Sequence, residues 1–442
     1  MERKMAMNPL AQELNEVLQK QNPSLYQMLS RLGKALYFPK GILSQTADAQ
    51  KKASKYNVTI GIATEGAGPM YLPCVQKIIK EIPPQESYPY APGAGKPQLR
   101  EKWQKKLLTD NPSIQGKKFS DPIVTSGLTH GLELAADLFV DPGDVIILPD
   151  KFWENYSLIF EVRKEAKIHT YSLFNSQGKF NTEGLNKMIT ELGSERNKLV
   201  VLFNFPNNPT GYSISQSEGE EIVEVILAAA KKGIKVVVIM DDAYFGLFYY
   251  QNTMKESLFG HFINLHPNIL AVKLDGSTKE QYVWGFRIGF ITLGVGGDGS
   301  FADVYNALEK KTMGAIRSSI SNCSHLAQSI ICKALDSPTY GEEKAEKLEV
   351  LKKRALKAQE VLKKKEFKRL WEVYPFNSGY FMCLKLKNVE AEPLRVHLLE
   401  RYGVGTIAMD KWDLRITFSS VEEENIEELF TIIAQGVKDL EK

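Results

Sequence analysis

The stretch DGSTKEQYVWGFRIGF, residues 275–290, sets Lys279 behind three small residues, Gly276, Ser277 and Thr278, and places Arg287 eight positions further on. A lysine drawn out of water holds its proton less tightly, and its amine becomes a nucleophile toward carbonyl carbon, the usual preparation for a Schiff base. A lone loop lysine is more often a solvated one, so its company decides. Arg287 offers a fixed fork of donors suited to a phosphate. TSGLTH, residues 125–130, puts a small turn containing Gly127, Leu128 and Thr129 where a strand passes into a helix, and free backbone amides gather anions there.

Two further segments end apolar runs in polar groups. FNFPNNPTG, residues 203–211, carries Asn208 among prolines and a glycine, and MDDAYFG, residues 240–246, carries Asp241 and Tyr244. A turn explains the first composition and a helix cap with a packed tyrosine the second. Neither explains why both would converge with Lys279. One chemical demand does. A pyridine ring used as an electron sink needs a carboxylate on its nitrogen, a hydrogen bond to its phenolic oxygen, a clamp on its phosphate and a lysine for its aldehyde. Asp241, Tyr244 with Asn208, Arg287 with the TSGLTH turn, and Lys279 supply those parts, which makes pyridoxal 5′-phosphate the expected cofactor.

The elements that must position these groups are readable from the periodicity. Between residues 120 and 295 the runs DPIVTSG, DVIILPD, IHTYSL, KLVVLFNF, KVVVIMDD, ILAVKLDG and IGFITLG alternate with helix-length segments. Several are apolar on both faces, as strands of a covered, mostly parallel sheet must be. The reading is α/β, with a seven-stranded sheet and a site at the carboxyl ends of its strands. Helices are expected over THGLELAADLFV and over SISQSEGEEIVEVILAAAKKG, the latter opening at Ser213 or Ser215 and closing at Gly233. After residue 325 long charged helices, the strands GYFMCLKL and DLRITFS and a closing helix read as a smaller α+β unit. The expected division is a large domain over 76–325 and a small one from 1–75 with 326–442.

Composition limits the partners. The 442 residues carry 56 Lys and Arg against 53 Asp and Glu, mixed along the chain, so nothing favours nucleic acid or an anionic membrane and a small molecule is expected. The lysine-rich run after residue 342 keeps leucine and valine at helical spacing and reads as a solvated helix face. Cys74, Cys323, Cys332 and Cys383 show no metal-ligand or redox spacing. No apolar run approaches the ~20 residues of a membrane span, and no signal-peptide core opens the chain. The expectation is a soluble cytoplasmic protein without a metal site.

In their order and spacing, NNPTG, DDAY, the small-small-Lys motif and the Arg-hydrophobic-Gly motif resemble the fold-type I, class I/II pyridoxal-phosphate aminotransferases, most closely the aspartate aminotransferase-like members. The likeness runs from about residue 57 to the C-terminal helix. It implies that Lys279 is the Schiff-base lysine and proton shuttle, Asp241 the partner of the pyridine nitrogen, and Tyr244 and Asn208 the partners of the phenolic oxygen. Trp153, in FWENY, matches the ring-stacking aromatic, with Phe152 the alternative one register away. Tyr90, in YAPGAGKPQLREKW, matches a tyrosine that reaches the phosphate of a neighbouring subunit, which implies a homodimer with shared sites. Arg415, in DLRITFS, matches the fork that takes the substrate α-carboxylate. Arg317, in IRSSISN, matches the arginine that meets a side-chain carboxylate across the dimer and would select aspartate or glutamate.

Three departures accompany the likeness. Gly276 replaces a frequent serine, leaving Ser277 and Thr278 to compensate. Leu128 stands where a small or polar residue is usual, and Ala63, in GIATEGAGP, stands where a glycine often borders the substrate. The implied activity is ping-pong transfer of an amino group from an amino acid, aspartate or glutamate first, to a 2-oxo acid. A β-elimination lyase or a decarboxylase on the same fold, or a cofactor-binding regulator without turnover, are the rival readings.

Overall fold

A computed structural model describes residues 7–38, 41–66, 68–297 and 301–441. The segments that matter for the site are helix α1 (Ile42–Lys52), strand β1 (Ile123–Thr125), helix α2 (Gly127–Phe139), strands β2 (Val145–Pro149), β3 (Lys167–Tyr171) and β4 (Lys198–Phe203), and helix α3 (Gln216–Lys231). Strands β5 (Lys235–Asp241) and β6 (Ile269–Gly276), the single-turn helix α4 (Ser277–Glu280) and strand β7 (Gly289–Val295) complete the large layer. Helix α5 (Tyr340–Leu362), strands β8 (Trp371–Val373), β9 (Phe381–Leu386), β10 (Ile407–Ala408) and β11 (Asp413–Thr417), and helix α6 (Ile426–Leu440) follow.

The large sheet has seven strands in the order β1-β7-β6-β5-β4-β2-β3. Pairing from β6 through β3 is parallel, and β7 runs antiparallel to both β6 and β1. The seven apolar runs of the sequence are these seven strands. Their alternate residues feed two cores: Val145, Val201, Val238 and Ala271 face one, and Ile146, Val200, Ile239 and Val272 the other. Both faces are therefore covered, which is why the sequence shows unbroken apolar runs and not alternation. Helix α3 opens at Ser215 with a capping box to Glu218, the later of the two starts the sequence allowed.

A four-stranded antiparallel sheet, β8-β9-β11-β10, forms the smaller layer. The N-terminal part of the chain joins it: residues Tyr56–Asn57 pair in parallel with Val404–Gly405, and the Gln45 side chain in α1 exchanges two hydrogen bonds with the backbone of Ala408, at 3.0 and 2.8 Å. The short helix Arg31–Ala35, by contrast, is tied through Arg31 to Glu165 on the large layer. All four cysteines are buried and unbridged. Among the described residues no helix is long and apolar enough to cross a membrane, and no His/Cys/Asp/Glu cluster could hold a metal.

Arg354 shows how the N-terminal segment is held to the helices after residue 325. It is 1% exposed on α5, and its Nη1 donates to the carbonyls of Thr64 and Ser419 at 2.7 and 2.6 Å while Nη2 pairs with Glu422. Removing it strands two carbonyls and a carboxylate, so Arg354→Leu should lower stability by about 3 kcal/mol. A shift of the urea midpoint to lower concentration, with the near-ultraviolet spectrum retained before the transition, is the expected result.

Candidate active site

The parallel strands deliver their polar termini to one place. Asp241 ends β5 level with Leu274 of β6, and β6 continues to Gly276 before the chain turns into α4 with Lys279 in it. Beside them Asn204 follows β4 and α2 begins at Gly127. A cavity of about 400 Å³ opens here, bounded by Leu128, Thr129, Trp153, Asn208, Asp241, Tyr244, Thr278, Lys279, Arg287 and Arg415, with Ile42 and Thr46 of α1 as a further wall.

Electrostatics in the cavity are set by loss of water. Burial pulls the Lys279 amine down to about 8; the Asp241 charge opposes this and the Arg287 charge adds to it. Burial pushes Asp241 up to about 6 against the Tyr156 hydroxyl, which donates to its Oδ2 at 2.6 Å, and the Ala243 amide, which donates to its Oδ1 at 3.1 Å. Near neutrality the carboxylate stays mostly charged while part of the amine is unprotonated. Lys279 Nζ lies 5.1 Å from the centre of the Tyr244 ring, and burial raises the Tyr244 phenol.

Arg415 is 2% exposed. Its Nη1 donates to Asn208 Oδ1 at 3.2 Å and its Nη2 to the Thr59 carbonyl at 2.9 Å, its guanidinium stacks 4.4 Å from the Phe381 ring, and its Nε has no partner. Burial lowers its affinity for the proton. A guanidinium so desolvated calls for an anion in the cavity. The start of α2 makes a second demand of this kind, because Ser126 provides no side-chain cap for the first amides. Arg287 lies directly over it: a Cβ at Gly127, which has φ +75°, would stand 2.5 Å from Nη2. Thr278, whose Oγ1 is buried and unpartnered, lines the same cavity.

Some expected residues sit elsewhere. Ser277 is fully buried and its hydroxyl reaches toward the Ile288 carbonyl at 3.4 Å, so Thr278 is the hydroxyl in the cavity wall. Ala63 is enclosed away from the cavity, and Gly61, two residues earlier, lines it: a Cβ there would come within 3.7 Å of the Tyr244 hydroxyl. The glycine of this segment that lines the cavity is therefore Gly61. Trp153 lines the cavity, whereas Phe152 stacks on Tyr156 at 6.4 Å outside it. A Cβ at Gly276 would meet the Ile288 carbonyl oxygen at 2.6 Å and the Gly289 Cα at 2.7 Å, backbone atoms that leave no room for a serine at this position. Tyr90, 89% exposed, and Arg317 share a separate groove with Met313, Ser321 and Asn322, and within one chain neither reaches Lys279.

Other site residues were not singled out from sequence. Asn204, whose Nδ2 donates to the Asp241 carbonyl at 2.8 Å and whose Oδ1 accepts from the Asn208 amide at 2.8 Å, lay inside FNFPNNPTG but reads as one turn amide among three. Tyr156 lay in FWENY, and its spacing of three from Trp153 was its signal. Phe381 is on the apolar strand β9, and Ile42 and Thr46 carry no motif at all.

Comparison with known proteins gives the site its family. The model for aminotransferase class I and II matches residues 55–433. The chain belongs to that family. An aspartate aminotransferase of Sulfurisphaera tokodaii is 26% identical over 77% of this chain and 80% of its own length, and one of Geobacillus stearothermophilus is 29% identical over 46% and 47% respectively. Among solved structures, an aminotransferase from Anaerococcus prevotii superposes with TM-score 0.82 at 24% identity over 92% of this chain and 98% of its own. Kynurenine aminotransferase of Pyrococcus horikoshii, solved in complex with PMP, gives 0.78 at 18% over 95% and 99%. These likenesses fix the fold as the type I fold of such enzymes, and pyridoxal 5′-phosphate is the cofactor. The residues present fit it: an uncapped helix start beside Arg287, an unpartnered threonine hydroxyl, a buried carboxylate and a desolvated amine all line one cavity.

The cofactor-free protein should show the cost of Asp241. The ordinary carboxyl value is 3.8 and the folded value about 6, so unfolding releases a proton in that window and stability falls as pH rises from about 4 to about 6. Asp241→Asn removes this dependence. Relative to the parent it should gain about 2–3 kcal/mol between pH 4 and pH 8, measured by denaturant unfolding without cofactor.

Proposed function

We propose that the cavity exchanges the amino group of a dicarboxylic amino acid, aspartate or glutamate, with a 2-oxo acid in two successive half-reactions, and that the working unit is a homodimer. The observation that carries the reaction class is the desolvated pair of Lys279 and Asp241 facing a buried guanidinium that lacks a partner at Nε. Support for the substrate comes from the relatives named aspartate aminotransferase and from Arg317, whose Nη1 donates to Ser321 at 2.5 Å in a surface groove shared with Tyr90. A second copy placing that groove over the cavity would bring a guanidinium toward a side-chain carboxylate.

Bound pyridoxal phosphate supplies the electron sink that stabilises negative charge at the substrate α-carbon. The chain's residues do the rest. Arg287, Thr278 and the first amides of α2 would hold the phosphate, Trp153 would pack against the ring, and Asp241, which accepts from the Tyr156 hydroxyl, would hold the proton on the ring nitrogen. Tyr244 and Asn208 would meet the phenolic oxygen. Arg415 takes the α-carboxylate and so orients the α-hydrogen. Lys279, with its amine near 8, would be the base that takes up that proton at Nζ. The walls exclude water, which strengthens each of these interactions.

Lys279→Ala should abolish transamination and the visible band of the bound cofactor while leaving the circular dichroism unchanged; a variant that transaminates normally would overturn the assignment. Arg317→Ala should lower kcat/KM for aspartate and glutamate by about a hundredfold and for alanine by less than about threefold. An equal loss across substrates removes Arg317 from selection.

A further inference from the structure

Glu154 is adjacent to Trp153 but does not line the cavity, and none of the roles above uses it. Its side chain crosses from the large layer to the N-terminal segment. Oε1 accepts from the Ile42 amide, the first of α1, at 3.2 Å. The residue at the cap position of that helix, Gly41, provides no side-chain cap of its own. The carboxylate packs directly against Gly41: a Cβ there would stand 2.8 Å from Glu154 Oε1 and from its carboxyl carbon, so a larger residue would displace the carboxylate from the helix end. A carboxylate at a helix N-terminus is favoured by the free amides and by the helix dipole.

The helix so capped carries part of the cavity. Ile42 and Thr46, one turn apart, line it. Through Gln45 the same helix is bonded on both sides to Ala408 in β10, and β10 pairs with β11 so that Ile407 stands opposite Arg415. Helix α1 and the α-carboxylate site therefore belong to one body, while Glu154 with Trp153 belongs to the other. Burial raises the Glu154 carboxyl, and the Ile42 amide and the Arg415 charge restrain that rise, which places Glu154 within the field of the guanidinium that meets the substrate.

We propose that Glu154 is a positioning residue for the substrate: by capping α1 from across the cavity it fixes Ile42 and Thr46 as an uncharged wall on the substrate, without touching the reacting atoms. This rests on the reading of the cavity as the amino-acid site. Loss of the cap leaves the chemistry of Lys279 in place and loosens the wall, so affinity changes and the rate of the bound complex does not. Gln retains an acceptor oxygen and Ala has none.

The test uses the full-length holoenzyme and its Glu154→Ala and Glu154→Gln variants, with steady-state kinetics on glutamate and amide hydrogen exchange over residues 41–46. Loss of a helix cap corresponds to about five- to tenfold in the population of the docked helix. Glu154→Ala should accordingly raise KM about five- to tenfold with kcat within about twofold, and should speed exchange over 41–46 by a similar factor. Glu154→Gln should stay within about threefold on both measures. Unchanged exchange in the alanine variant, a fall in kcat at constant KM, or a glutamine variant as impaired as the alanine one would each overturn the proposal. A parent enzyme that fails to transaminate would reject the functional reading, and the exchange measurement would still decide whether Glu154 holds the helix.

Discussion

The structure depends on keeping a lysine and an aspartate, Lys279 and Asp241, away from water at the ends of adjacent parallel strands. Each is less charged-favouring than it would be in solvent, the amine at about 8 and the carboxyl at about 6. Their mutual attraction does not cancel the loss of hydration, and the remainder is what a cofactor with a carbonyl and a ring nitrogen relieves. The strand pairing fixes this geometry. A slip of one residue between β5 and β6 would exchange the faces on which Asp241 and Leu274 stand.

The same two strands are locked together behind the site by a second buried charge group. Lys273, 1% exposed on β6, pairs with Asp242, the residue that follows β5, and with Asp275 at 3.5 Å, and Asp275 accepts from the Trp103 indole at 3.1 Å. A lysine on a core-facing position is costly unless fully paired, and here one partner, Asp242, directly follows Asp241 while the other, Asp275, lies near the end of β6. Register is thus enforced by charge as well as by apolar fit. One residue beyond Lys279, Glu280 is held by Lys106 at 2.9 Å and by Lys344, and these two cations hold its carboxyl well down. Lys279 stands on a short turn whose next residue is anchored.

Much of this was legible in the sequence because each large-sheet strand is a local apolar run and each functional group follows its strand directly. The seven strands, and Asp241, Asn208, Tyr244, Lys279 and Arg287 at the cavity, needed no long-range information beyond the rule that parallel strands deliver their termini to one edge. Ser277 and Ala63 show where that rule stops. Which of two adjacent hydroxyls faces a cavity depends on the phase of a single helical turn, and which of two nearby residues borders it depends on how an irregular segment crosses a sheet. Ile42 and Thr46 were beyond reach for a different reason: helix α1 acquires its place from Gln45 and Glu154, residues 363 and 112 positions from the groups they bond.

Substrate choice was the least legible property, and the charges lining the cavity explain why. The cationic residues on the described lining are Lys279, Arg287 and Arg415, and each of them is assigned, on the proposed reading, to the cofactor or to the α-carboxylate. A second substrate carboxylate therefore finds no free cation on the described lining of a single chain. The wall that α1 presents is a methyl-rich isoleucine and a threonine, which accept many side chains and select none by charge. Selection for a dicarboxylate has to be delivered from outside this cavity, and Arg317 can deliver it only if a second copy docks its groove at the right distance. On the proposed reading the reaction lies with residues gathered at the edge of one sheet, whereas selection of a dicarboxylate would lie in a relation between two molecules, which the spacing of residues along one chain does not encode.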